Sequence, residues 1–90
     1  MQFEWDRRKA TSNAQKHRVS FEEASTVFGD PMALTFADPD HSAAEERYIT
    51  FGNSQRNRLL VVCHTYRDSV IRIISSRFAK AGERRIYEEK

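Results

Sequence analysis

A single cysteine, Cys63, is all the thiol chemistry this chain has. It excludes an intramolecular disulfide, and its place inside an apolar run reads as a small buried hydrophobe. A reducing cytoplasm is the compartment that fits. No apolar run approaches the ~20 residues a membrane-spanning helix needs. Met1-Gln2-Phe3-Glu4-Trp5-Asp6 has none of the architecture of a secretory signal. Charge of one sign does not dominate: 15 Lys and Arg against 13 Asp and Glu leave a formal charge of +2. Internal repeats, low-complexity tracts and linkers are absent. So are a nucleophile elbow, a Gly-rich phosphate loop, a Cys-x-x-Cys pair and a His-Glu-x-x-His helix. His17, His41 and His64 lie far apart in the chain. Carboxylates are scarce around the most apolar stretch, which argues against hydrolysis by paired carboxylates.

What remains is one soluble domain over residues 1–90, with room for a modest core. Its centre is a hairpin. Leu59 to Tyr66 and Val70 to Arg77 are β-rich runs flanking the polar Arg67-Asp68-Ser69. Both runs are apolar on both of their alternating faces, so they belong in the middle of a covered sheet. A three-residue loop would pair Tyr66 with Val70 and set His64 opposite Arg72, ~5 Å apart at Cβ on one face. Simple alternation then puts Arg77 on the other face from Arg72, unless a bulge re-aims it.

The rest of the chain supplies cover. Gln2–Trp5 reads as a short strand or extended arm, with Trp5 as a structural anchor. Asp6 caps a polar helix over about 7–17 whose only apolar stripe is Ala10 and Ala14. Its Arg7, Arg8, Lys9, Lys16 and His17 form a basic surface, whose plain reading is a solvated face. Arg18 ends that helix at positive φ, a place that favours glycine. Ser20 and Glu23 form a Ser-x-x-Glu capping box, stapled by Val19 and Ala24, for a second, short helix. Phe21, Ala24, Val27 and Phe28 are its core stripe, and Gly29-Asp30-Pro31 stops it. Strands are predicted over 32–37 and 46–52, with a loop over 38–42 and a polar turn over 53–57. Asp38-Pro39-Asp40-His41 lacks the ligand count and spacing of a metal site. A last helix over 79–89 has a weak start at Lys80 and Gly82. The sum is an α+β domain: an antiparallel β-sheet with two N-terminal helices and a C-terminal helix.

An arginine-rich sheet with one histidine suits phosphate chemistry. Arginine binds phosphate oxygens bidentately, and a histidine beside it can move a proton. Such a pair can serve metal-free RNA cleavage, in which the 2′-hydroxyl attacks the adjacent phosphate. From the residues alone, His64 and Arg72 read more readily as an ordinary surface pair. The rival class is a non-catalytic module whose basic face holds nucleic acid or a protein partner.

The string Phe3-Glu4-Trp5-Asp6, Lys9, Asn13, Lys16-His17, Val19-Ser20-Phe21-Glu22-Glu23-Ala24, Phe28 and Asp30 resembles the start of the BrnT toxin family. So do Asp40-His41, Glu46-Arg47-Tyr48, Gly52, Leu60-Val61-Val62, His64-Thr65, Arg72-Ile73-Ile74-Ser75-Ser76-Arg77, and Glu83-Arg84 with Tyr87. The resemblance runs over nearly the whole chain. It departs at Arg18, Ser76 and Lys80, where glycine, alanine and threonine are usual. It implies a RelE-like ribonuclease fold and a toxin of a type II toxin–antitoxin system, which inhibits translation and needs no cofactor. It also implies a BrnA-like antitoxin whose DNA-binding domain takes the complex to its operator. On this reading His64, Arg72 and Arg77 are the catalytic candidates. Lys9, Arg47, Lys80 and Tyr87 are candidates for holding RNA, although Tyr87 serves equally to pack the last helix.

Overall fold

The computed structural model describes residues 1–41 and 45–89. Five strands form one sheet in the order β1-β5-β4-β3-β2. They are β1 (Gln2–Trp5), β2 (Leu34–Ala37), β3 (Tyr48–Asn53), β4 (Leu59–Arg67) and β5 (Val70–Phe78). The antiparallel meander runs from β2 to β5, as expected from short connections. The N-terminal arm joins it as β1, parallel to β5. The two hairpin strands occupy the middle, where their doubly apolar pattern is satisfied.

Helix α1 (Arg7–His17) starts at Asp6, whose Oδ1 accepts from the Arg8 and Lys9 amides at 2.8 and 3.1 Å. It ends at Arg18, which takes φ 59° and ψ 34°. Helix α2 (Phe21–Ser25) starts at Ser20, whose Oγ accepts from the Glu23 amide at 3.0 Å. It tightens into a 3-10 turn over Thr26–Gly29. The reciprocal half of the expected capping box is not formed. The Glu23 carboxylate turns instead to the β3–β4 connection, where Ser54 Oγ donates at 2.7 Å and Arg58 grips it with Nε and Nη2. Arg58, first among the causes, holds this buried carboxyl below its ordinary range. A buried charge with a fork-shaped partner is better satisfied there than by one backbone amide.

These helices cover one face, the inner face. Val19, Phe21, Ala24 and Val27 pack on Leu60, Val62 and Ile73, joined by Phe3, Trp5, Ala10 and Phe28. Trp5 stands edge-on to Phe21, with centroids 5.9 Å apart. Gly52 permits the close approach of the 3-10 turn, because a Cβ there would lie 3.2 Å from both Val27 and Ala33. The predicted loop over 38–42 contains a 3-10 turn at Pro39–His41, and Ser42 lies outside the described residues. Helix α3 (Ala81–Glu88) follows β5 and touches β3. No described helix is long and apolar enough to cross a membrane.

The central hairpin differs from expectation in its register. Its loop is two residues, Asp68 and Ser69, with Arg67 paired to Val70. Asp68 takes φ 56°, a conformation aspartate tolerates, and so closes a tighter turn. The pairs become Thr65 with Arg72 and His64 with Ile73. The expected His64–Arg72 pairing is therefore corrected. Further along, Ile74 has no partner, because Cys63 pairs with Ser75. This bulge reverses the alternation, so Arg72 and Arg77 share the outer face while His64 belongs to the inner one.

Candidate functional site

The outer face gathers the arginines. Arg77 pairs with Val61, and Arg72 pairs with Thr65 and lies beside Glu4 of β1. The two are five positions apart with one taken up by the bulge, or roughly 13 Å along the strand. Next to Arg77 is a shallow pocket of about 260 Å³. Ile49, Val61, Cys63 and Ile74 supply its apolar lining, and Ser75, Asp38, Arg47 and Arg77 its polar groups. Two arginines, Arg47 and Arg77, thus line one pocket together with Asp38. Cys63 is not a nucleophile here, since burial pushes its thiol up.

Each arginine already meets a carboxylate. Arg77 donates from Nη1 and Nη2 to the two oxygens of Glu83, both at 2.8 Å. That fork raises Arg77 and holds Glu83 low. Arg72 Nη1 donates to Glu4 at 2.8 Å. Arg67 stands 3.9 Å from both Glu4 and Glu45, and Arg47 stands 3.6 Å from Glu45. The hairpin end thus carries alternating charges: Arg72, Glu4, Arg67, Glu45, Arg47. Of these five residues only Arg67 is exposed and the others are half-buried, so the pairs remain within reach of a competing anion from solvent. Arg67, Glu4, Glu45 and Glu83 were not among the expected site residues. Glu83 was within reach, because it sits in the first turn of α3, six residues after Arg77.

His64 is elsewhere. It is 0% exposed on the inner face, with Phe28 edge-on at 4.8 Å and Tyr48 and Tyr66 at 6.0 and 5.3 Å. Its Nε2 lies 2.7 Å from Thr50 Oγ1, which lies 2.8 Å from Thr35 Oγ1. Nδ1 has no hydrogen-bond partner among the described residues. Desolvation lowers its pKa to about 4, so the ring is neutral at pH 7. A phosphate on the arginine face cannot touch it, and the geometry does not support the proton-transfer role expected for it.

The remaining candidates scatter. Lys80 is exposed and immediately precedes α3. A lysine has no acceptor to cap a helix, so Glu83 Oε1 takes the Lys80 amide instead, at 2.8 Å. Lys80 and Arg77 thereby share Glu83. Lys9 is exposed on α1, and its charge and that of Arg72 both act on the Asp6 carboxyl, whose main support is the Lys9 amide. Tyr87 Oη donates to Asp30 Oδ2 at 2.6 Å and accepts from Asn53 Nδ2 at 3.3 Å. Burial, followed by Asp30, pushes it up to about 12. It ties α3 to the sheet, in line with its packing role. Among the described residues no three His, Cys, Asp or Glu side chains cluster as a metal would need.

The model of a ribonuclease toxin, BrnT, of type II toxin–antitoxin systems matches residues 5–83. The chain belongs to the BrnT toxin family. Its fold is also similar to the crystal structure of the Brucella abortus ribonuclease toxin BrnT, with a TM-score of 0.70 and 23% identity. That match covers 89% of this chain and 97% of the other. No curated protein matches the chain. BrnT toxins are ribonucleases of type II systems, so membership implies an RNA target and an antitoxin partner. The outer face, opposite the layer formed by the first two helices, is where Arg47, Arg72 and Arg77 come together.

Proposed function

We propose that this protein is an endoribonuclease that cuts RNA without a metal ion and thereby inhibits translation in the cytoplasm. The observation that carries the reading is Arg47 and Arg77 lining one pocket on the face that also holds Arg72. A phosphodiester in that pocket would meet Arg47 and Arg77 over an apolar floor, with the buried Asp38 at one side, in a setting where charge is stabilised more strongly than in water. Charge that builds on the phosphorane is held by donors already in place. Arg72, with Arg67 beside it, would hold a neighbouring phosphate. Lys80 adds charge at the α3 end, and Lys9 adds charge beside Asp6 at the start of α1. Tyr87 contributes by holding α3 in position.

A BrnA-like antitoxin is the partner this reading requires, carrying the complex to operator DNA through its own DNA-binding domain. Acidic residues laid over Arg72, Arg77 and Lys80 would compete with RNA. An interface of about 1,600 Å² in total is the expected size.

The test uses purified protein, a labelled oligoribonucleotide and EDTA. Cleavage to a 2′,3′-cyclic phosphate that persists in EDTA and is lost in Arg77→Ala is the expected result. Cleavage that stops in EDTA and returns with magnesium overturns the metal-free mechanism. RNA binding with no cleavage by the intact protein would make it a non-catalytic module.

A further inference from the structure

We infer that Glu83 is the general base of RNA cleavage, taking the proton from the 2′-hydroxyl that attacks the phosphate held by Arg77. The inference rests on the ribonuclease reading above and names the proton acceptor that reading lacks.

With His64 walled into the core, an acceptor must be found on the outer face. Two outer-face carboxylates meet a pocket arginine: Glu45 stands 3.6 Å from Arg47, whereas Glu83 holds Arg77 in a two-bond fork that uses only Nη1 and Nη2. A guanidinium has five N–H groups. Nη1 also reaches the Phe78 carbonyl at 3.3 Å. The Nε hydrogen and the second Nη2 hydrogen form the other edge of the fork, and none of these bonds uses it. A phosphate seated on that edge shares Nη2 with Glu83 Oε2. Two acceptors on the two hydrogens of one nitrogen lie about 5 Å apart. A 2′-oxygen at attack distance from phosphorus, about 3–3.5 Å, falls between them. One guanidinium thus grips the phosphate and places the base next to the nucleophile.

Two further features suit Glu83 to this role. Its side chain keeps 23% of its surface open, so substrate reaches it. Its Oε1 is fixed by the Lys80 amide as well as by Arg77, so the carboxylate is oriented before RNA arrives. Asp38, the carboxylate that lines the pocket itself, is only 6% exposed, with little room for a sugar beside it.

The step balances without a co-reactant. The 2′-hydroxyl gives its proton to Glu83 and its oxygen bonds to phosphorus. The bond from phosphorus to the 5′-oxygen breaks, and that oxygen takes a proton from water on the open side of the pocket. Glu83 returns its proton to solvent. The products are a 2′,3′-cyclic phosphate and a 5′-hydroxyl.

Glu83→Gln and Glu83→Asp are compared with the unaltered protein on a labelled oligoribonucleotide, across pH. Binding is measured separately on the same strand with 2′-deoxyribose at the cleavage site, which cannot react. Melting curves confirm the fold of each variant. Glu83→Gln should lose on the order of 100-fold or more in kcat. It should bind the deoxy strand within about threefold of the unaltered protein, and the acid limb of the pH profile should disappear. Glu83→Asp should recover part of kcat with that limb restored. Cleavage by Glu83→Gln at the unaltered rate overturns the inference. So does a kcat loss that falls only in step with deoxy-strand binding, since Glu83 would then act by holding Arg77. An unaltered protein that does not cleave at all would instead count against the ribonuclease reading itself.

Discussion

Asn13, in the middle of α1, satisfies both backbone groups of Ser76 in β5. Its Oδ1 accepts from the Ser76 amide at 3.0 Å, and its Nδ2 donates to the Ser76 carbonyl at 2.8 Å. Strand β1 pairs with Val70 to Ile73 and stops there. Past that point β5 has no neighbouring strand on this side among the described residues, and the amide of Asn13 takes its place. A third bond, from Nδ2 to the Val19 carbonyl at 3.0 Å, ties the same side chain to the α1–α2 corner. The residue after Ser76 is Arg77, so this contact fixes the strand segment that presents the pocket arginine.

Asn13→Ala would leave buried backbone groups of Ser76 and Val19 without partners. Each such group costs about 1–3 kcal/mol, and the expected loss of stability is about 3 kcal/mol. The denaturant midpoint measures it. A shift under 0.5 kcal/mol would mean that water replaces the amide at this site.

Stability should fall as pH drops through the range where His64 titrates. Its folded pKa is lowered to about 4 from an ordinary 6.5. The unfolded chain therefore binds the proton first, and the contribution is complete only above pH 6.5. It is lost progressively between 6.5 and 4, by up to roughly 3 kcal/mol. Glu23 and Glu83 are held low, so their contributions fade at lower pH, below the ordinary carboxylate value of 4.5. His64→Leu should flatten the slope of unfolding free energy between pH 6.5 and 4.5. An unchanged slope would place the titration elsewhere.

The local signals of the sequence were reliable, and the long-range ones were not. Asp6, Ser20 and Arg18 sit where side-chain chemistry and φ preference put them, because capping involves residues at most three apart. The hairpin's place in mid-sheet followed from two doubly apolar strands. Its register did not, because Arg67-Asp68-Ser69 suits a three-residue loop as well as the two-residue one that forms with Asp68 at positive φ. Nothing in Ile73-Ile74-Ser75 announces a bulge, yet the bulge decides that Arg72 and Arg77 share a face. The burial of His64 depends on Phe28, from an element thirty-six positions earlier, lying across its ring. The parallel pairing of β1 with β5 joins the two ends of the chain and has no local signature.

Arg18→Gly should stabilise the protein by about 1 kcal/mol. Arg18 sits at φ 59° with an exposed side chain, and a residue with a Cβ is strained there. Glycine removes that strain, although the unfolded chain gains some freedom in return. A thermal or denaturant midpoint that falls would mean that the Arg18 side chain makes a contact worth more than the strain.

The geometry of the outer face should be readable in how arginine substitutions combine. Each phosphate contact releases counterions, so removing one lowers the salt slope of single-strand binding by about 0.7. Arg47→Ala and Arg77→Ala act on one pocket, and their losses of affinity should not add. Once one wall is gone, the phosphate is no longer gripped from two sides, and the second substitution removes less. Arg72 stands roughly 13 Å along the strand and, on the proposed reading, would meet a different phosphate, so Arg72→Ala and Arg77→Ala should add within about 0.5 kcal/mol. Arg72→Ala alone should be the milder change, because it also leaves Glu4 to Arg67, which already stands 3.9 Å from it. A cleavage-resistant 2′-deoxy-substituted strand, titrated at several salt concentrations, measures all of these. Additivity between Arg47 and Arg77, with strong coupling between Arg72 and Arg77, would move the scissile phosphate out of the pocket and toward the hairpin end.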